Sequence, residues 1–159
     1  MISAPAAALG LVYRWTDHTI NPTGEARAAL RRALADLGLS GDTISDSVLA
    51  VSELVANAHE HAHGPYEVHL RSAAGRYICE IYDRDPALPA DLYLTIATSR
   101  DTTTARAGAG SETLSEPLLE RGRGLLVVHE LAKGQWGFRV TRHGTKAAWV
   151  VLATVGSAS

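Results

Sequence analysis

Residues 52–62 of the chain read SELVANAHEHA, and this stretch decides how the rest of the sequence is interpreted. At 3.6 residues per turn, Glu53, Asn57 and His61 fall on one stripe of a helix. An apolar stripe lies beside it and consists of Val51, Leu54, Val55, Ala58 and Ala62. The stretch therefore predicts a helix with an apolar face for a core and a polar edge of carboxylate, amide and imidazole. That edge suits a hydrated metal and a proton acceptor, but a solvated polar face has the same pattern.

The composition indicates one domain with a sizeable core, because the chain has 159 residues and is 46% hydrophobic. A formal net charge of -2 gives no electrostatic reason for nucleic acid or an anionic membrane to be the main partner. The single cysteine, Cys79, cannot form an internal disulfide, and no stretch approaches the roughly 20 apolar residues that cross a bilayer. We therefore expect a single domain over residues 1–159, located in the cytoplasm.

Hydrophobic periodicity on both sides of the opening stretch predicts the remaining elements. We expect a first strand at 9–16, an amphipathic helix from Pro22 to about Gly38, a second helix capped by Gly41-Asp42-Thr43 that ends near 63–65, a hairpin of strands 66–74 and 76–83, a third helix at Leu125–Ala132 opened by Gly122-Arg123-Gly124, and two last strands near 135–142 and 145–153. The order β-α-α-β-β-loop-α-β-β predicts an α+β fold with helices on one face of a mainly antiparallel sheet.

Periodicity fades between Asp85 and Glu120, where the sequence is rich in proline, glycine, serine and threonine. Long segments of this kind inside a compact domain are usually lids or disordered loops. We expect a mobile segment at about 98–121.

Two further motifs accompany the opening stretch: residues 80–86 read EIYDRDP and residues 120–125 read ERGRGL. The first delivers Asp83 to the end of a strand, and the second places glycines at the predicted start of a helix. Each has an ordinary structural explanation, as a turn former or a tight helix entry, and short motifs have high false-positive rates.

Taken in order, the three motifs resemble the ATP-binding domain of the GHKL superfamily, which histidine kinases, type II topoisomerases, Hsp90-type chaperones and MutL-type repair proteins share. Residues 52–62 resemble its N box, residues 80–86 its first glycine box and residues 120–125 its second. The flanks are similar to the branch of anti-sigma-factor serine/threonine kinases, of actinobacterial type, at Ala26-Arg27, Trp136-Gly137, Gly144-Thr145 and Trp149. The resemblance covers nearly the whole chain and implies a two-layer α/β sandwich of the Bergerat type with a mixed, mainly antiparallel sheet.

The resemblance also implies the roles of the site residues. Asn57 would bind Mg²⁺, because its neutral amide oxygen suits a hard cation that keeps most of its waters. Glu53 would be the catalytic general base or water-orienting carboxylate, and Asp83 would accept a hydrogen bond from the adenine amino group. The other nucleotide contacts would come from Pro86, Gly122, Arg123, Gly124, Leu125 and Thr145.

The first glycine box departs from the family pattern. Asp83 is followed by Arg84-Asp85-Pro86, where the family usually has glycines. Proline fixes φ and lacks an N–H group, so the loop below the adenine must have a different shape.

The resemblance implies an ATP-dependent protein serine/threonine kinase that also acts as an anti-sigma factor. It would transfer phosphate from Mg-ATP to a small anti-sigma-factor antagonist and bind a sigma factor, and close relatives often form homodimers. The alternative is a non-catalytic ATP-binding regulatory module that acts through protein–protein interaction, which the altered first glycine box favours.

The histidines at 59, 61 and 63 suggest a zinc site, but a spacing of two residues splays side chains apart on a helix. Only His59 and His63 would share a face. We expect His61 to pack beside the site and not to bind a metal.

Overall fold

A computed structural model describes residues 9–85, 87, 116–141 and 143–156. Five strands and three helices lie in this part of the chain, in the predicted order. They are β1 (Gly10–Trp15), α1 (Pro22–Asp36), α2 (Gly41–His61), β2 (Tyr66–Ala73), β3 (Arg76–Asp83), α3 (Glu116–Leu131), β4 (Trp136–Val140) and β5 (Lys146–Thr154). The α+β fold class predicted from the sequence is confirmed.

The described strands form one sheet in the order β1-β2-β3-β5-β4, and every neighbouring pair is antiparallel. β2 and β3 form the predicted hairpin, whose two turn residues, Ala74 and Gly75, have φ values of 52° and 74°. Positive φ at both positions gives the type I′ turn, whose twist matches that of the strands. Because β5 lies between β3 and β4, the start of β5 is placed beside the end of β3.

Side-chain caps fix where the first two helices begin. The Asn21 side chain accepts a hydrogen bond from the Gly24 amide at 3.2 Å, and Pro22 takes the first helical position, where its missing N–H costs nothing. α2 is capped by Ser40, whose hydroxyl accepts from the Thr43 amide at 3.3 Å. The cap lies one residue before the segment predicted from the sequence.

The start of α3 differs from the prediction. We expected the helix to begin at Leu125, opened by the glycines, but it begins at Glu116. Pro117 was interpreted as part of a loop, although a proline is tolerated in the first turn of a helix. Gly122 and Gly124 therefore lie within the helix and not at its N-terminus.

The core lies between the helices and one face of the sheet. Alternate residues of β2, namely Tyr66, Val68 and Leu70, are almost fully buried, and α2 presents Leu54 and Val55 to them in the same hydrophobic cluster. This alternation is that of a strand with one face on a core. It fixes which residues of the neighbouring strands point toward the helices.

Two predictions concern segments at the edge of what the structure describes. Most of the lid predicted at about 98–121 lies outside the described residues, and its last residues, 116–121, form the first turns of α3. In the described part of the chain, no helix has both the length and the apolar character that crossing a bilayer requires.

Candidate functional site

The polar edge of α2 lies along the border of its buried face. Glu53 and Asn57 are partly exposed, while Leu54, Val55 and Ala58 beside them are buried. α2 packs against α1, α3 and the inner face of the sheet, so the two polar side chains project from a helix that its neighbours hold in place. One helical turn separates them, as the sequence predicted.

The helix α3 approaches α2 very closely at Glu53. A Cβ atom built on Gly124 would lie 2.7 Å from Glu53 Oε2, a distance that real Cβ atoms essentially never show. Any side chain at position 124 would therefore push the carboxylate away. The structure brings the predicted general base and the second glycine motif into direct contact.

The other residues of the second motif lie on different sides of α3. Gly122 lies in the helix, Arg123 is exposed, and Leu125 is packed in the hydrophobic core with 1% of its surface accessible. Because α3 begins at Glu116, the amide groups at 122–124 lie inside a helix and not at its N-terminus.

Asp83 lies at the end of β3, with 3% of its surface accessible. Its Oδ1 accepts a hydrogen bond from the Asp85 amide at 2.8 Å, and Asp85 Oδ1 accepts one from the Ala87 amide at 3.0 Å. The segment after β3 is thus shaped by two successive aspartate side chains. Pro86, predicted as a nucleotide contact, lies outside the described residues.

Burial raises the pKa of the Asp83 carboxyl above its ordinary value, because desolvation penalises the charged form. The backbone amide of Asp85 and the ammonium group of Lys146 lower it, but they offset only part of that effect. A buried carboxyl with a raised pKa at the end of a strand is a candidate for a functional role.

Sequence reasoning missed Lys146, the residue that lies opposite Asp83. The two residues are register partners on β3 and β5, and Lys146 Nζ lies 3.6 Å from Asp83 Oδ2. Thr145, predicted to lie near the adenine, makes a short hydroxyl contact with Thr141 across the β4–β5 turn and lines the same cavity as Asp83. A lysine in phase with the inward-facing Ala148 and Val150 was the signal in the sequence, since such positions normally carry apolar residues.

A cavity of about 660 Å³ opens where β2, β3 and β5 meet, and its walls include Pro65, Tyr82, Asp83, Thr141 and Thr145. This volume falls within the range of small-molecule sites. Neither Glu53 nor Asn57 lines the cavity. The predicted base-binding residue and the predicted phosphate-binding residues therefore lie in two separate regions.

Hydrogen bonds fasten the chain between α2 and β2 to the neighbouring strand ends. The Tyr66 hydroxyl donates to Asp17 Oδ1 at 2.5 Å and contacts the Ala62 carbonyl oxygen at 2.9 Å. Asp17 also accepts from the Gly64 amide, and the Arg84 amide donates to the His63 carbonyl at 2.8 Å. The end of α2 and the end of β3 are thus held in a fixed relation.

The histidines of α2 have local partners. His59 Nδ1 accepts a hydrogen bond from the Trp15 indole at 3.3 Å, and His61 Nε2 lies 3.6 Å from a carboxylate oxygen of Glu60. No group of three or more His, Cys, Asp or Glu side chains suited to a metal occurs within residues 9–85, 87, 116–141 and 143–156.

Comparisons with known proteins agree with this fold. A chain of the SiaB–SiaC complex from Pseudomonas aeruginosa has a similar fold, with a TM-score of 0.54 over 91% of each chain and 14% sequence identity. A search of curated proteins found no match. The sequence matches the histidine kinase-like ATPase domain over residues 18–150, a range that includes all three motifs. This match confirms the superfamily predicted from those motifs: the chain belongs to the histidine kinase-like ATPase domain family.

Proposed function

We propose that this chain is an ATP-dependent protein serine/threonine kinase of the anti-sigma-factor type. The observation that carries the proposal is the contact between Glu53 and Gly124, which joins the first and third motifs within a family of ATPase domains. Phosphoryl transfer needs little more than positioning and charge neutralisation. A carboxylate on α2 that lies against the backbone of α3 contributes to the first of these needs.

The residues present fit ATP. Asp83 offers a carboxylate to the wall of a cavity of suitable size, and a carboxylate accepts the amino hydrogens of adenine. Because α3 begins at Glu116, phosphate contacts with the amides of Gly122 and Gly124 require the preceding turns to open. Each glycine makes that helix less stable by about 1 kcal/mol relative to alanine, which favours opening.

The chain also fits a divalent cation. Asn57 provides an amide oxygen, the ligand chemistry that Mg²⁺ accepts while keeping several waters. When bound, Mg²⁺ would neutralise charge on the phosphates of ATP. Arg123 is exposed on α3 and would supply further positive charge to the phosphates.

Glu53 is assigned the role of general base. Its carboxylate lies one helical turn from Asn57 and against the backbone of α3 at Gly124. From this position it would accept the proton of an incoming serine or threonine hydroxyl, or orient that hydroxyl toward the phosphate.

The proposal is tested by comparing Glu53→Gln with Glu60→Gln in a phosphotransfer assay with Mg-ATP and candidate antagonist proteins. Glu60 is the matched control, because it lies on the same helix with a side chain that is 65% exposed. We expect Glu53→Gln to slow phosphotransfer by about 100-fold to 10,000-fold, with ATP affinity within a few-fold of wild type. Equal rates for the two variants would overturn the role of Glu53.

A non-catalytic ATP-binding regulator is the second candidate. Two features near the predicted base-binding residue favour it. The segment after Asp83 departs from the family's glycine-containing pattern, and Asp83 is paired with Lys146. Calorimetry and phosphotransfer separate the two candidates. A wild-type protein that binds ATP but transfers no phosphate to any candidate antagonist would be a regulator of this second kind.

The proposed partners are an anti-sigma-factor antagonist and a sigma factor, within the actinobacterial branch and in the cytoplasm, with a homodimer as the assembly. The motifs and their flanks support this assignment. The similar chain from Pseudomonas aeruginosa was solved in a complex of two different proteins, SiaB and SiaC. Co-purification from the native cytoplasm, with identification of the bound protein, tests the partner assignment.

A further inference from the structure

The inner face of the sheet carries a buried lysine, which is rare in folded proteins unless the ammonium is paired. Lys146 is the first residue of β5, and only 4% of its side chain is exposed. Its register partner on β3 is Asp83. The lysine therefore lies beside the carboxylate to which we assign base recognition.

Lys146 lies next to Asp83 without itself lining the cavity, and its contacts come from three segments of the chain. Its Nζ donates to the Ala87 carbonyl at 3.3 Å, lies 3.6 Å from Asp83 Oδ2, and lies 5.8 Å from the centre of the Phe138 ring. An ammonium group has three N–H donors. Among the described residues, the Ala87 carbonyl accepts a hydrogen bond from this group, and the Asp83 carboxylate forms an ion pair with it at a distance just beyond hydrogen-bond range.

The two charged groups offer the kinds of acceptor and donor that the edge of adenine requires. Adenine presents an amino donor at N6 and an acceptor at the adjacent ring position N1, so their partners have to lie side by side. A carboxylate accepts from N6 and an ammonium group donates to N1. Asp83 Oδ2 and Lys146 Nζ offer this acceptor and donor 3.6 Å apart.

We propose that Lys146 is a specificity-determining residue of the nucleotide site, which donates a hydrogen bond to N1 of adenine while Asp83 accepts one from N6. This inference rests on the proposed assignment of Asp83 to the adenine. In the same pose, guanine would present its O6 acceptor to the carboxylate and its N1–H donor to the ammonium group. Both contacts would be repulsive, so the pair selects adenine over guanine.

The test measures binding of three nucleotides by calorimetry: ATP, 1-deaza-ATP, in which a C–H group replaces N1, and 7-deaza-ATP as the matched control. The wild-type protein should bind 1-deaza-ATP about tenfold or more weakly than ATP, because a hydrogen bond to a charged group is lost. It should bind 7-deaza-ATP with nearly the affinity of ATP. GTP should bind more weakly than any of the three.

A second series uses Lys146→Met, which keeps the length of the side chain and removes the ammonium group. The variant should lose the preference for ATP over 1-deaza-ATP. If Lys146 merely positions Asp83, the variant will bind all three nucleotides more weakly by the same factor, and the wild-type protein will bind ATP and 1-deaza-ATP equally well. Either result overturns the inference. Should the variant fail to fold, the wild-type comparison alone decides.

The outcomes also separate this inference from the proposed function. A wild-type protein that binds no adenine nucleotide contradicts both the function and the role of Lys146. A protein that binds ATP and 1-deaza-ATP with equal affinity keeps the ATP-dependent function and rejects the role of Lys146.

Discussion

Strand β3 carries two buried carboxylates on opposite faces of the sheet, and the structure satisfies them in different ways. Glu80 points to the outer face, where it accepts hydrogen bonds from Arg71 Nε at 2.6 Å and from Arg139 Nε at 3.2 Å. Asp83 points to the inner face, where it has one backbone amide at 2.8 Å and the ammonium group of Lys146 at 3.6 Å. Glu80 is surrounded by strong donors, and Asp83 is not.

The pKa directions follow from these partners. Burial alone would raise the pKa of Glu80, but the guanidinium groups of Arg139 and Arg71 hold it below the ordinary value. Burial does raise the pKa of Asp83, because its partners are fewer and more distant. A carboxylate whose partners are complete stabilises a fold, whereas one that is buried with incomplete partners is suited to a ligand.

Glu80 joins strands that are not neighbours. Arg71 comes from β2 and Arg139 from β4, and β5 lies between β3 and β4. Both arginine side chains are 45% exposed, so their charged groups remain partly hydrated. The cluster therefore links β2, β3 and β4 on the outer face of the sheet, and it remains in contact with water.

The largest effect that we expect is on the affinity for ATP, which should depend on Asp83 and not on Glu80. Asp83→Asn should weaken ATP binding by about 10-fold to 100-fold, because a hydrogen bond to a charged acceptor is replaced by a weaker one. Glu80→Gln, on the other face, should leave the dissociation constant within about twofold of wild type. Calorimetric titration checks both variants. Equal affinities for wild type and Asp83→Asn would show that the adenine assignment is wrong.

The second prediction concerns the free energy of unfolding, for which Glu80 should matter more than Asp83. Glu80→Gln should lower the free energy of unfolding by about 1–2 kcal/mol, because two guanidinium groups lose their anionic partner. Urea unfolding measures the change. Glu67→Gln is the control, since Glu67 is 35% exposed and pairs with Arg14 at 3.0 Å near the surface. Its effect should stay below about 1 kcal/mol, and a larger loss for Glu67→Gln than for Glu80→Gln would contradict the comparison.

The smallest effect is a difference in pH dependence. The pKa of Glu80 is lowered from the ordinary 4.5, so its contribution to stability is complete above pH 4.5 and is lost as the pH falls through the folded-state pKa. The pKa of Asp83 is raised from the ordinary 3.8, so its ionisation reduces stability as the pH rises above 3.8. The two carboxylates therefore have opposite effects in this acidic range.

Unfolding of wild type, Glu80→Gln and Asp83→Asn between pH 3 and pH 6 measures these slopes. The advantage of wild type over Glu80→Gln should grow as the pH rises toward 4.5, and its stability relative to Asp83→Asn should fall as the pH rises above 3.8. Carboxyl-carbon titration by NMR gives the same information directly. A midpoint for Asp83 below 3.8 would refute the assignment of its environment.

Local patterns in the sequence predicted most of the fold. Alternation in 66–74 and 76–83 and the helical spacing of residues 51–58 are properties of single elements, so they can be interpreted without tertiary information. The start of α3 is different. Its first turns contain Pro117 and are followed by Gly122 and Gly124, residues that normally interrupt helices. α3 packs on α2, and no local pattern in the sequence shows this packing.

The sequence also predicted which region would hold the candidate site, but not all of its residues. Thr145 and Lys146 are neighbours, and strand register alone decides which of them lies beside Asp83 on the inner face. The length of the turn before β5 sets that register. A motif match does not give the register to within one residue. The pairing of Glu80 with Arg139 was missed for the same reason, because it depends on the position of β4.

The close approach of Gly124 to Glu53 means that α2 and α3 cannot shift independently at this point. Because Glu53 Oε2 lies only 2.7 Å from where a Cβ atom at position 124 would be, α3 cannot move closer to α2 at this point without forcing that side chain into another rotamer. A partner that shifts α3 would thereby change the direction of the carboxylate without touching it. The absence of a side chain at position 124 thus couples the position of α3 to the direction of the Glu53 carboxylate.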